Sequence, residues 1–130
     1  MAETLDEFHR FRSQMNEEIL AAGPLGLKRF WALDHQAYEA GALPSQTKEL
    51  LGLVASTVLR CDDCITYHLE RCHDQGLSRD QVLEALNVAL VVGGSIIIPH
   101  LRRAFARWKE IEVKKPGSGR ARSRPRPGGG

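Results

Sequence analysis

The chain lacks any strand signature. Its apolar residues recur at threes and fours and do not alternate, so an all-helical fold is expected and β architectures have no support. It also lacks an apolar amino-terminal segment. Glu3, Asp6, Glu7, Glu17 and Glu18 interrupt the first 20 residues, which does not resemble a secretory signal. Long hydrophobic runs are missing too. The longest, Ala85 to Pro99, is too short to span a bilayer and contains Asn87, Gly93, Gly94 and Ser95. These absences lead to the expectation of a soluble, cytoplasmic protein with no membrane partner. Cysteine is scarce, with three residues in 130. In a reducing compartment so few thiols do not form a disulfide framework, and a closely spaced pair points to redox chemistry or metal binding.

Acidic residues are absent from positions 114–130, where Lys114, Lys115, Arg120, Arg122, Arg124 and Arg126 stand among prolines and glycines. That stretch has no apolar anchor and is expected to be a disordered basic tail without assigned function. It also hides the sign of the remainder. The overall charge is +2, but residues 1–113 hold 12 basic against 16 acidic groups, a net of about −4. A negatively charged body argues against nucleic acid as a partner. With 42% hydrophobic and 26% charged residues over its full length, the chain has the composition of a soluble globular protein, and positions 1–113 are expected to form one domain able to bury a modest core.

About six helices are expected. Leu5, Phe8, Phe11, Met15 and Ile19 form a first apolar stripe, ending near Gly23-Pro24, and Leu27, Phe30, Trp31 and Tyr38 form a second, closed by Gly41. Pro44 and Ser45 start a third helix with a core stripe of Leu50, Leu51, Val54 and Val58. A break at Arg60 to Asp62 precedes a fourth helix ending at Gly76. Ser78 caps a fifth, which carries Val82, Leu83, Leu86, Ala89 and Leu90. Gly93-Gly94 and Pro99 interrupt the chain before a last helix with Leu101, Phe105, Trp108 and Ile111. Residues from Ala85 to Ile98 are apolar on nearly every side. Such a helix must be covered all round, so a subunit interface and a homo-oligomer are expected there.

The chemistry-bearing segment is Cys61-Asp62-Asp63-Cys64-Ile65-Thr66-Tyr67-His68, with Glu49 upstream. On a helical wheel of about 100° per residue, Cys64, Ile65, His68 and Cys72 fall within about 60° of Cys61. Asp63, Thr66, Glu70 and Asp74 fall on the opposite side, expected to face water. The pair sits at a helix start, where free N–H groups and the positive dipole end favour thiolate. His68, one turn after Cys64, can take or return a thiol proton. Asp62 and Asp63 act the other way, since nearby negative charge raises a thiol pKa. Cys72 is expected to be a core residue. His9, His35, His73 and His100 have no arrangement that selects them, and Tyr67 is expected to pack at the edge of the site.

Glu49, eleven intervening residues, then Cys61-x-x-Cys64-x-x-x-His68 resembles the AhpD-like alkylhydroperoxidases within the carboxymuconolactone decarboxylase family. Thr47-Lys48-Glu49-Leu50-Leu51 and Gly76 are similar as well. The resemblance covers roughly residues 27–110. It implies an all-helical, AhpD-like bundle that assembles as trimers or hexamers and reduces hydroperoxides without a metal or organic cofactor. By the same resemblance Cys64 is the peroxide-attacking thiol, Cys61 the resolving thiol, and His68 with Glu49 the proton relay. The implied partners are a hydroperoxide substrate and a thiol or dithiol reductant. One departure is Asp63, where many AhpD proteins carry a second His. Two other readings are open at the level of sequence. Cys61, Cys64, His68 and Glu49 could hold zinc, although three ligands on one short helix face make a tetrahedron hard to close. Or the chain is a non-catalytic or lactone-processing relative, against which the cysteine pair argues.

Overall fold

The structure is a computed structural model in which residues 3–116 are described. Six α-helices make up this span, with no strand among the described residues: α1 (Leu5–Ala22), α2 (Leu25–Ala37), α3 (Ser45–Val58), α4 (Asp62–Asp74), α5 (Arg79–Gly93) and α6 (Ile98–Lys114), with a 3-10 turn at Ser95–Ile97 before α6. The all-helical reading and the helix count therefore hold. The chain divides into two compact units, the first ending at Ser45 and the second beginning at Gln46. The tail expected from position 114 lies outside the described residues beyond Pro116. Lys114 itself ends α6.

In the first unit, α1 begins with a reciprocal capping box. The Thr4 hydroxyl accepts from the Glu7 amide at 3.1 Å, and the Glu7 carboxylate accepts from the Thr4 amide at 2.8 Å. Leu5 and Phe8 are buried, but the stripe does not continue inward, since Phe11 is 69% exposed. No residue of α2 is buried, and Phe30 and Leu33 face outward. The expected core stripes of these two helices are thus largely surface.

The second unit has a closed core of Leu53, Ile65, Leu69, Cys72, Leu86, Ala89, Ile97, Ala104, Trp108 and Ile111. Helices α3 and α4 form an antiparallel hairpin, with Gln46 Nε2 near the start of α3 donating to the Gln75 carbonyl after α4 at 2.7 Å. Both helices end in the same way. After α3, the Arg60 amide donates to the Thr57 carbonyl and the Cys61 amide to that of Ser56; after α4, the Gly76 amide donates to His73 and the Leu77 amide to Cys72. This is a Schellman arrangement at each end, and it requires a left-handed residue. Gly76 supplies one at φ 84°, whereas Arg60 adopts φ 63° with a full side chain. The turn at Arg60 delivers the chain directly to Cys61.

Helices α4 and α6 pack side by side and run in the same direction, because their starts are joined to each other and so are their ends. Asp62 at the start of α4 meets His100 and Arg103 in the first turns of α6. Arg107 Nε donates to Thr66 Oγ1 at 3.1 Å, and the His73 ring stands edge-on to Trp108 with centroids 5.4 Å apart. At the far end Lys115 lies 3.0 Å from Asp74 and 3.4 Å from Glu70. Half of the face of α4 expected to meet water is therefore covered. Thr66 and Glu70 are buried, while Asp63 and Asp74 remain exposed. The physical reason is that α6 presents Arg103 and Arg107, and its C-cap Lys115, at turns that match the polar residues of α4.

In α3 the buried face is Glu49, Gly52, Leu53, Ser56 and Thr57, not the apolar stripe read from sequence. Leu51 is 55% exposed, and Leu50, Val54 and Val58 are half-buried. On α5, Val82, Leu86 and Ala89 face the core, whereas Leu83, Val88, Val91 and Val92 are exposed. Ser78 is the N-cap as expected, in a capping box with Gln81.

Candidate functional site

Cys61 is the N-cap of α4, in extended conformation, and its sulfur accepts the Cys64 amide at 3.3 Å. Sulfur here takes the place of the usual hydroxyl or carboxylate cap, so the free amides of the first helical turn point toward it. Cys61 and Cys64 lie at disulfide distance with their Cα atoms 5.3 Å apart. Cys61 is half-buried and Cys64 is exposed as residues.

His68 follows one turn later on the same helix and is buried. Its Nδ1 donates to Glu49 Oε1 at 2.9 Å, the link from α4 back to α3. Glu49 is 1% exposed, and its second oxygen lies 3.6 Å from Arg71 Nε. A carboxylate this deep in the protein requires such partners, since burying it unpaired would be strongly unfavourable. With Nδ1 held by the carboxylate, the neutral ring keeps its proton on that nitrogen and presents Nε2 as the basic one. The Tyr67 ring stands edge-on to His68 at 5.2 Å.

The structure thus brings together all four residues named from the motif: Cys61 and Cys64 as one pair, Glu49 and His68 as another, joined by one turn of α4. Cys72 is fully buried. Burial and then the Glu49 carboxylate push its thiol up to about 12, so it remains a protonated core residue. Among the described residues no group of three or more His, Cys, Asp or Glu side chains is arranged to hold a metal ion.

Three contributors escape a motif-based reading. Gly52 lies against the His68 ring, where a Cβ would come within 2.5 Å of Cε1 and 2.7 Å of Nε2. The available signal is an isolated glycine inside a helical pattern, three residues after Glu49 and therefore on its face. Arg71 reaches Glu49 from one turn beyond His68. His100, which no spacing selects, bonds Asp62 beside the cysteine pair.

A family model described as the carboxymuconolactone decarboxylase family matches residues 24–107. A crystal structure of a carboxymuconolactone decarboxylase family protein from Thermotoga maritima, for which a part in antioxidative response has been suggested, is 54% identical. It superposes with a TM-score of 0.80 over 86% of this chain and 96% of that one. An uncharacterized protein in the cox locus of Paracoccus denitrificans is 30% identical over 83 residues, which cover 64% of this chain and 75% of that protein. The alkyl hydroperoxide reductase AhpD of Mycobacteroides abscessus is 41% identical over 46 residues, 35% of this chain and 26% of that protein.

Proposed function

Since the chain belongs to the carboxymuconolactone decarboxylase family, and carries a thiol pair one helical turn from a buried imidazole, we propose that it is a thiol-dependent hydroperoxidase. The observation that carries this reading is the placement of Cys61 and Cys64 at disulfide distance at the start of α4, one turn before the His68–Glu49 hydrogen bond. The part match to an alkyl hydroperoxide reductase supports the same chemistry.

In this reading His68 Nε2 accepts the Cys64 thiol proton while Glu49 stabilises the imidazolium through Nδ1. The Cys64 thiolate attacks the hydroperoxide, forming a sulfur–oxygen bond as the oxygen–oxygen bond breaks. The departing alkoxide takes the proton from His68 and leaves as alcohol. Cys61 then attacks the Cys64 sulfenic sulfur. The disulfide forms, and hydroxide leaves as water with the Cys61 proton. A dithiol reductant, protein or small molecule, reopens the pair by exchange and becomes a disulfide itself. The net reaction converts hydroperoxide and dithiol to alcohol, water and disulfide, with no metal or organic cofactor.

The active form in this proposal is a homo-oligomer, a trimer or hexamer. Its support is the exposed apolar surface of Val88, Val91, Val92 and Ile96 at and just after the end of α5.

The test is consumption of cumene hydroperoxide in the presence of a dithiol, followed by intact mass. The wild-type protein should lose two hydrogens, mapping to Cys61 and Cys64, and recover them with dithiol. Cys64→Ser should abolish consumption, and Cys61→Ser should accumulate a sulfenic acid that dimedone traps. Undiminished consumption by Cys64→Ser would end this reading.

A further inference from the structure

Asp62 stands immediately after Cys61, at the first residue of α4, and its charge opposes the formation of thiolate there. Both of its carboxylate oxygens are occupied. His100 Nδ1 donates to Oδ1 at 2.8 Å, and Arg103 Nε donates to Oδ2 at 3.0 Å. Arg103 Nη2 lies 3.4 Å from His100 Nδ1, so the three side chains form one closed cluster between α4 and α6. The cluster is half-buried, which limits screening by solvent. Burial pushes the Asp62 carboxyl up, but the His100 hydrogen bond and the Arg103 guanidinium outweigh it and hold the group below its ordinary value. Asp63, the other acid of the motif, is exposed.

We propose that Asp62, His100 and Arg103 are positioning residues that set the redox equilibrium of the Cys61–Cys64 pair by balancing charge at the start of α4. The inference rests on the redox reading of that pair. Reduction adds two electrons and two protons to the disulfide, supplied by a dithiol that closes to its own disulfide. To the extent that the reduced pair carries thiolate, nearby positive charge favours reduction and nearby negative charge opposes it. Arg103 and His100 offset Asp62 and keep the helix start permissive for thiolate.

The cluster also ties α4 to α6, so the experiment must separate charge from scaffolding. The redox equilibrium of the pair against dithiothreitol is measured at fixed pH, without peroxide, for Arg103→Gln, Asp62→Asn, the double variant and Arg103→Lys. The helical circular-dichroism signal of each is recorded alongside. Arg103→Gln leaves Asp62 unbalanced and should lower the equilibrium constant for reduction about tenfold, a change of about 30 mV. Asp62→Asn leaves the Arg103 charge in excess and should raise it by a similar factor. The double variant should return toward wild type, and Arg103→Lys should stay close to it. A tie that was only mechanical would be broken by either single substitution and would move both in the same direction. Shifts of the same sign, or no shift in folded variants, would overturn the proposal. A wild-type pair that cycles reversibly under these conditions while peroxide goes unconsumed would sink the hydroperoxidase reading alone. A wild-type pair that does not cycle would sink both.

Discussion

The volume beside position 52 is filled by the His68 ring, and that fixes what substitution there must do. A methyl group at Gly52 would lie within 3 Å of three ring atoms, so the imidazole has to move or α3 has to shift away from α4. Alanine in a helix interior gains up to about 1 kcal/mol over glycine. Overpacking costs about 1–3 kcal/mol, so a modest net loss of stability is expected. The effect on chemistry should be larger, since misplacement of a reacting group by about 1 Å can cost on the order of a hundredfold. Gly52→Ala is therefore expected to remain folded in a thermal melt while its rate of peroxide consumption collapses; a folded variant with unchanged rate would separate ring position from function. Glu49, Cys61, Cys64 and His68 were legible in the sequence because their spacing is itself the chemistry: one helical turn within α4 and a fixed hairpin back to α3. Gly52 was not, because what it contributes is the absence of a side chain, and that has meaning only once the ring across the hairpin is placed.

Along the seam between α4 and α6, polar residues do work that a hydrophobic pattern assigns to solvent. Thr66, Glu70 and Asp74 recur every fourth residue and, with Asp63, read as a wet face; Asp62 stands one period before Thr66. The partners of Asp62, Thr66 and Asp74 come from some 40 residues further along the chain, where Arg103, Arg107 and Lys115 stand at multiples of that same spacing. Periodicity within one helix cannot reveal a complementary period in another. The same limit explains α3, where the reading followed leucines and valines while the helix turned Glu49, Gly52 and Ser56 inward. His73 lies in this seam against Trp108, and burial lowers its pKa from the ordinary 6.5. The folded protein therefore binds fewer protons here than the unfolded chain. Its contribution to stability is complete above about pH 6.5 and is lost as pH falls through the lowered value. Asp62 and Glu112 are also lowered, from 3.8 and 4.5, so their contributions fade only in more acidic solution. The melting temperature should begin to fall just below about pH 6.5. In His73→Gln that first decline should be reduced, leaving mainly the acidic one, and an unaltered profile would remove His73 as its source.

For the molecule as a whole, the feature to be explained is how much apolar surface is left uncovered. Val91 and Val92 are 77% and 67% exposed at the end of α5, beside Ile96 at 57% in the following turn. Exposed apolar side chains this close in sequence support the proposed interaction surface, and the expectation of an interface over Ala85 to Ile98 came from the same residues. Sedimentation at micromolar concentration should show a trimer or hexamer, and Val91→Asp with Val92→Asp should shift it toward monomer. A wild-type monomer would refute the assembly. No described helix is long and apolar enough to cross a membrane. The separation of Cys72 from the other two thiols has an analytical consequence at this same scale. A reagent added to the reduced native protein should count the two thiols of the Cys61–Cys64 pair, and added to the oxidised native protein it should count none, because the third thiol is sealed in the core. Unfolding adds one to each tally. Stoichiometry alone thus reports two independent variables from one titration: an even count gives the oxidation state of an intact molecule, and an odd count marks one whose core has opened.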